Sequence, residues 1–149
     1  MQVHTDTLEF ATEGNDAVRD LSGEVLRCVE ASGCTHGTVT VFCPGSTGGV
    51  TTIEYEPGLV DDIQAAVERV FPRSLRYRHN ELNHDDNGHS HVRAAMVGPS
   101  LTVPIVDGRL TLGTWQQIVF LDFDSGPRRR RLVVQIVGVQ GTPHGSSVD

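Results

Sequence analysis

The chain has 149 residues and a net charge of −7, and all twelve of its basic residues are arginine. The absence of lysine excludes a Schiff-base lysine, a Walker-type phosphate-binding lysine and a lysine general base. A net anion is repelled by the phosphate backbone, which argues against nucleic acid as a partner. The sequence has neither a recognisable signal segment nor an apolar run of about 18 residues, so we expect a cytoplasmic protein without a membrane partner.

The three cysteines are an odd number and form no C-x-x-C pair, which argues against a disulfide framework and a cysteine-rich zinc site. Cys28 falls on the apolar face of a predicted helix, and Cys43 ends a predicted strand. Free cysteine packs as a small hydrophobic residue. Both thiols are therefore predicted to be buried and unpaired.

The first half of the chain alternates predicted strands with two main helices. The first helix is expected to begin at Asn15 or Asp16, which can cap it, and to end before Gly33. A small-residue loop, Pro44–Gly49, joins two strands. In chain order the predicted elements are a strand at Val3–Phe10, a helix to about Ala31, strands at Gly37–Phe42 and Val50–Glu54, and a helix at Leu59–Phe71.

The second half contains a polar stretch from Pro72 to Gly88, a short helix at His89–Val97, and then strands. The dipeptide Asp107-Gly108 between apolar runs predicts a hairpin. The fold predicted for residues 1–141 is a single α+β domain, a sandwich of mostly antiparallel strands with two main helices. Residues 142–149 are predicted to form a flexible tail. The predicted strands are Leu101–Val106, Arg109–Leu112, Trp115–Phe123 and Arg131–Val139.

Four of the seven histidines lie between His79 and His91, interleaved with carboxylates. A transition metal needs three or four converging donors. If this stretch is extended, His89 and His91 project to one side and His79 supplies the third ligand, which leaves a position open for water or substrate. The competing interpretation is a solvated polar loop with incidental histidines, and His84 is the weakest candidate of the four.

The Pro44–Gly49 loop lies between two strands and is therefore neither a Walker A loop nor a Rossmann fingerprint. Its backbone N–H groups and the hydroxyls of Ser46 and Thr47 could nonetheless approach an anion. A flexible hairpin connection is the alternative. Glu54, which closes the next strand, could serve as a general base or a ligand if it lies beside the histidines, or could simply be exposed.

Four consecutive arginines, Arg128 to Arg131, enter the last predicted strand. Alternation places Arg129 and Arg131 on one face and Arg128 and Arg130 on the other. Guanidinium groups at a strand entrance suit phosphate or carboxylate binding, whereas pairing with the surplus acidic residues is the structural alternative. The lone tryptophan, Trp115, is expected to anchor the core or an interface.

Three stretches together resemble the YjbQ family, which is also described as secondary thiamine-phosphate synthase enzymes. The stretches are Val41–Ile63, Tyr77–Asp124, which includes the sequence LGTWQQ, and Gly126–Arg131. The resemblance implies a compact α+β sandwich, a homotrimer and a metal-associated site near the subunit boundary. It also implies a reaction that joins a pyrimidine pyrophosphate to a thiazole phosphate.

The resemblance also assigns roles to individual residues. His79 matches the histidine of a Tyr-x-His motif, and His91 matches the histidine of the following short helix. Glu54, Asp62 and Gln116 match a strand-end glutamate, a helix aspartate and the glutamine of a Trp-Gln pair, and they are the catalytic candidates. One departure stands out, because many members have His-Thr-Thr-Ala where this chain has Gly45-Ser46-Thr47-Gly48.

The favoured hypothesis is a metal-associated transferase of the thiamine-phosphate synthase type. A divalent metal, zinc or magnesium, would bind His79, His89 and His91. Phosphate oxygens of a phosphorylated small-molecule substrate would bind Gly45–Gly48 and Arg129. Two alternatives stay open: a metal-dependent hydrolase of phosphorylated small molecules, and a non-catalytic trimeric ligand-binding protein.

Overall fold

The computed structural model describes residues 1–141, which form one domain of mostly antiparallel strands curled into a half-barrel, with four helices. Every strand pair in these residues is antiparallel. The strands are β1 (Gln2–Thr12), β2 (Ala17–Asp20), β3 (Cys34–Phe42), β4 (Gly48–Ile53), β5 (Ser100–Val106), β6 (Arg109–Leu110), β7 (Gln117–Asp122) and β8 (Arg128–Gln140), and the helices are α1 (Ser22–Ser32), α2 (Pro57–Val70), α3 (Arg78–Asn83) and α4 (Gly88–Val97).

A five-stranded sheet, in the order β1-β8-β3-β5-β6, forms one side of the main core. Alternate residues of β8, such as Leu132, Val134 and Ile136, are buried against α1 and the second sheet. Burial of such side chains contributes about 1.5–3 kcal/mol each. This core therefore fixes the two sheets relative to each other and holds the strand ends that carry the candidate site.

The second sheet, in the order β2-β7-β4, is buried on both faces. Ile118 and Phe120 of β7 belong to the main core, whereas Leu121 and the following Phe123 pack with Ala94 of α4 in a second cluster. Partly buried side chains of α2 complete that cluster. The continuous apolar run of β7 reflects a strand with no solvent-facing side.

Two element predictions are wrong. The first helix begins at Ser22 and not at Asn15 or Asp16, because residues Ala17–Asp20 pair with β7 as strand β2. Asn15 and Asp16 instead adopt positive φ angles of 51° and 69° in the preceding turn, a conformation that these residue types tolerate. The polar stretch before α4 also contains a helix, α3, which ends at His84 with a positive φ of 54°.

Other predictions are confirmed. Asp107 and Gly108, with φ angles of 50° and 72°, connect β5 to β6 as a tight hairpin turn. Cys28 and Cys43 are buried and free. Burial, with Asp6 nearby, raises the pKa of Cys28 to about 11, so this thiol is a packing group and not a nucleophile.

Candidate functional site

The glycine-rich loop and a histidine of α4 line one pocket. Gly45, Ser46 and Gly48 form one wall, and His91 lies on the other, with Ala94, Ala95 and Pro99 completing a cavity of about 190 Å³. The sequence-based hypothesis assigned the loop to substrate phosphates and His91 to a metal, without local evidence that the two lie side by side. The structure brings them together because α4 packs directly against β4, the strand that begins at Gly48.

Two glycines allow this close packing. A Cβ atom on Gly48 would lie 2.5 Å from the Phe120 ring, and one on Gly49 would lie 2.7 Å from Val97 of α4. Any side chain at either position would push the loop away from the core or from the helix. These glycines are therefore needed for the shape of the pocket, and not only for turn flexibility.

His79 and His91 form a pair at the edge of this pocket, with ring centroids 4.4 Å apart. The short helix α3 places His79 there. Its Asn80 side chain accepts a hydrogen bond of 2.8 Å from the backbone N–H of Gly88, the first residue of α4. The Nδ1 atom of His79 is buried and has no hydrogen-bond partner among the described residues.

His89 lies on another side of α4 and does not join the pair. Two residues along a helix differ in direction by about 200°, so the prediction that His89 and His91 project to one side is wrong for this helical segment. His89 is 3% exposed and lies beside Ser90 and Tyr77. Burial, followed by the positive charges of Arg93 and Arg73, lowers the pKa of His89, which keeps the imidazole neutral.

Within residues 1–141, no group of three or more His, Cys, Asp or Glu side chains is arranged to hold a metal ion. His79 and His91 converge and could supply two ligands, but His89 is not positioned as the third. The donor set of the described chain is thus incomplete for zinc, which requires three or four protein ligands. The side chains actually paired in the pocket are two imidazoles.

A fully buried arginine, Arg93, holds the other side of α4. Its guanidinium donates to Asp16 at 2.7 Å, to Glu68 of α2 at 2.6 Å and to the backbone carbonyl of Phe71. The Arg93 hydrogen bond is the main reason that the pKa of Glu68 is lowered. This network ties α4 to α2 and to the β1–β2 turn, and so fixes the orientation in which His91 faces the pocket.

A second buried network lies behind the glycine-rich loop. Arg130 binds Asp122 with two hydrogen bonds of 2.7 Å, and it also donates to the hydroxyl of Thr47. That hydroxyl in turn donates to Asp124. Burial alone would raise the pKa of Asp122, but the hydrogen bonds from Arg130 and Thr12 lower it. Thr47 is therefore a structural residue of the loop, and its hydroxyl is not directed to the pocket.

The alternation predicted for the arginine run is confirmed. Arg128 and Arg130 pair with the buried Asp124 and Asp122, whereas Arg129 and Arg131 are exposed on the opposite face of β8. The structure does not bring Arg129 to the lining of the histidine pocket. It lies instead beside Pro44 in a separate pocket.

None of the three catalytic candidates is among the residues that line the histidine pocket. Glu54 follows the far end of β4, about 20 Å from Gly48 at about 3.3 Å per residue. Glu54 and Asp62 are exposed, and neither makes an ion pair or side-chain hydrogen bond within residues 1–141. Gln116 accepts from the backbone N–H of Gly113 and donates to Thr52, which stabilises a turn at the same end of β4.

Trp115 is 74% exposed, so its predicted role as a core anchor is wrong for the single chain. It follows a glycine turn that projects beyond β7, where no other element covers it within the described residues. A role as an interface anchor stays a prediction. The predicted flexible tail, residues 142–149, lies outside the part of the chain that the structure describes.

Sequence reasoning missed Arg93, Asp122 and Asp124 as organising residues. One signal was available for the two aspartates: they lie two residues apart at the end of a buried strand, and Arg128 and Arg130 lie two apart at the start of the next. Such spacing predicts paired side chains on one face. Arg93 had no comparable signal, because its partners come from distant segments.

The fold and the pocket define the class of protein: a single α+β domain of antiparallel strands with a small pocket between a strand-connecting glycine loop and a short helix. A family model described as UPF0047 protein YjbQ-like matches residues 6–139. The chain belongs to this family, and the resemblance stated from its motifs is confirmed.

Two relatives match this chain along nearly their full length. A UPF0047 protein of Methanothermobacter thermautotrophicus is 38% identical over 93% of this chain and 94% of its own. Another, from Archaeoglobus fulgidus, is 41% identical over 86% of this chain and 97% of its own. The family relationship thus covers both the glycine-rich loop and the histidine segment.

Solved structures agree with the fold. A YbjQ-like protein of unknown function from Sulfolobus solfataricus has a TM-score of 0.88 at 30% identity, covering 93% of this chain and 99% of its own. A hypothetical protein from Aeropyrum pernix has a TM-score of 0.86 at 33% identity, covering 91% and 99%. None of the helices described here has the length and apolar character needed to cross a membrane.

Proposed function

We propose that the chain is a transferase of the thiamine-phosphate synthase type, which joins a pyrimidine pyrophosphate to a thiazole phosphate. The observation that carries this proposal is the convergence of the Gly45–Gly48 loop and His91 on one pocket, with His79 against His91. Loop backbone amides and imidazole N–H groups are donors that suit a phosphate-bearing ligand.

The reaction needs little covalent participation from the protein. The thiazole nitrogen attacks the methylene carbon of the pyrimidine, the new C–N bond forms, and the C–O bond to pyrophosphate breaks. Negative charge develops on the leaving pyrophosphate, so donors fixed around it are the main catalytic requirement. In the absence of a metal, His91 would donate a hydrogen bond from its ring N–H to a leaving-group oxygen.

Fixed positions of the donors support this assignment. Gly48 is held against Phe120, and the loop behind it is held by the Thr47 hydroxyl between Arg130 and Asp124. The orientation of α4 is held by buried Arg93. A site whose donors are fixed before the substrate binds loses less free energy to reorganisation during the reaction.

The proposal includes a divalent metal only on the condition that some of its ligands come from outside the described chain. His79 and His91 would hold it, and the remaining ligands would come from the substrate or from another copy of the chain. When bound, it would supply positive charge to the pyrophosphate oxygens. Assembly as a homotrimer in the cytoplasm is part of the same proposal, and it would supply such a second copy.

The direct test is an assay of the purified protein with the two phosphorylated substrates, in which thiamine phosphate is detected by fluorescence after oxidation. We expect product with the wild type and at least a roughly 100-fold lower rate with His91→Ala. His36→Ala is the matched control, because His36 is exposed near the opposite end of β3 from the loop. Equal rates for the two variants would refute the role of His91.

A second test uses growth. A strain that lacks its own thiamine-phosphate synthase should grow without thiamine when it carries this chain, but not when it carries the His91→Ala form. Release of orthophosphate from phosphate esters without thiamine phosphate would favour the hydrolase instead. Tight binding of the substrates with neither product would favour a non-catalytic ligand-binding protein.

A further inference from the structure

The start of β8 carries a second pocket, distinct from the histidine pocket. Its lining residues are Thr7, Pro44, Arg129, Arg130, Arg131 and Val133, around a cavity of about 390 Å³. That volume lies within the range of small-molecule sites. We propose that this three-arginine pocket is a binding site for a small polyanion that carries two linked phosphate groups.

The arginines differ in what they already bind. Arg130 is anchored to Asp122 through Nε and Nη2, and Nη2 also bonds to Thr47. Its Nη1 atom makes no hydrogen bond within residues 1–141 and lies 3.6 Å from the place that a Cβ atom of Gly45 would occupy. Gly45 lines the histidine pocket, so this N–H lies on the opposite face of β8 from the Arg129 and Arg131 guanidinium groups, and the charge available to a ligand in the second pocket comes from Arg129 and Arg131.

Arg129 and Arg131 are free to bind a ligand. Their side chains are 73% and 69% exposed, and both approach the same carboxylate, Glu9, at N–O distances of 3.8 and 3.7 Å. These distances exceed those of ordinary hydrogen bonds. One carboxylate faces two guanidinium groups, so the pocket keeps a surplus positive charge on a chain whose net charge is −7.

The spacing of the donors indicates the class of ligand. Residues two apart in a strand lie about 6.6 Å apart on the same face. An arginine binds a phosphate through two parallel hydrogen bonds, so Arg129 and Arg131 match two phosphate groups of one molecule. The negative charge of the whole chain disfavours a long nucleic acid as the occupant.

The test is isothermal titration calorimetry of the full chain with inorganic pyrophosphate at constant ionic strength. We expect the arginine pocket to account for one pyrophosphate per chain, apart from any pyrophosphate at the histidine pocket, and at least about tenfold weaker binding at the arginine pocket in the double variant Arg129→Gln/Arg131→Gln. The Glu9→Gln variant should bind more tightly, because it removes the competing carboxylate. Orthophosphate should bind more weakly than pyrophosphate to the wild type.

The matched control is Arg109→Gln, which removes one exposed arginine from β6 and should leave the affinity within about twofold. Circular dichroism checks that the double variant is folded, and the single variant Arg131→Gln replaces it if it is not. Unchanged binding in the arginine variants, or weaker binding in Glu9→Gln, would overturn the assignment, as would tighter binding of a short DNA duplex. His91→Ala should keep this binding, which separates it from the proposed reaction.

Discussion

His89 and His91 lie two residues apart on one helix, and their surroundings are opposite. His89 is buried beside two arginines, Arg93 and Arg73, whereas His91 lines a pocket with the glycine-rich loop and contacts His79. A turn of about 200° separates the two directions. His89 therefore lies on the buried, structural side of α4, whereas His91 lies on the side that a ligand can reach.

The difference shows why residue type alone does not identify a metal ligand. A histidine beside arginines lies in a positive electrostatic potential, which disfavours the binding of a metal cation. His91 has no such neighbour in its pocket lining. The buried side of α4 would thus determine stability, and the pocket side would determine activity, and variants on the two sides should separate these properties.

The largest expected effect is on the buried side. Arg93→Ala leaves Asp16 buried with only the longer 3.3 Å contact to Arg73, and it removes the donor to Glu68. Removing one partner of a buried ion pair costs about 3–5 kcal/mol. Urea unfolding should show a loss of this size. A control Arg109→Ala variant, at an exposed site on β6, should change the free energy of unfolding by less than about 0.5 kcal/mol.

The pocket side should show the reverse pattern. We expect His91→Ala to keep the free energy of unfolding within about 1 kcal/mol of the wild type, while the rate of thiamine phosphate formation falls about 100-fold or more. His89→Ala should instead lower stability, because it leaves a cavity in a buried site. If His89→Ala lost activity while its free energy of unfolding stayed at the wild-type value, the division between the two sides of α4 would be wrong.

The fold was largely predictable from periodicity and turn residues. The Asp107-Gly108 hairpin, the β3 strand and the α2 helix follow from local patterns that tertiary packing reinforces. Strand β2 was not predictable, because Ala17–Asp20 continues the apolar pattern of α1 and becomes a strand only through pairing with β7. The secondary-structure preferences of residues 17–20 contain no information about their pairing with β7.

Individual site residues could be identified from the sequence, but which of them lie together could not. The glycine-rich loop and His91 were identified from residue types, and alternation separated Arg130 from Arg129 and Arg131 without indicating which face is inward. The separation of His89 from His91 depends on the helical phase of α4, which a segment of mixed polar residues does not reveal. Arg93 binds partners 77 and 25 residues away, so its burial depends on the complete fold.

The loop offers a smaller test of the same division. Thr47 is buried and bonded on both sides, whereas Ser46 lines the pocket. Thr47→Val should lower the free energy of unfolding by about 1–3 kcal/mol, because Arg130 and Asp124 each lose a partner. Ser46→Ala should leave unfolding unchanged and weaken substrate binding. Denaturant unfolding and substrate titration of both variants check the pair.

The smallest expected effect is the pH dependence that His89 imposes on stability. Burial, then Arg93 and Arg73, lower its pKa in the folded chain below the ordinary value of 6.5. The unfolded chain therefore takes up the proton at a higher pH than the folded chain. It follows that the contribution of His89 to the free energy of unfolding is fully present above pH 6.5 and is lost as the pH decreases through 6.5 toward the folded pKa.

Replacing His89 by glutamine removes this proton and with it that part of the slope. Urea unfolding at pH 7.5 and at pH 5.5 should therefore show a smaller pH effect in His89→Gln than in the wild type. A His36→Gln control retains His89, and so retains its contribution. If His89→Gln kept the full wild-type slope, the pKa of His89 would be the same in the folded and unfolded chains, and the positive charges of Arg93 and Arg73 could not define this side of α4.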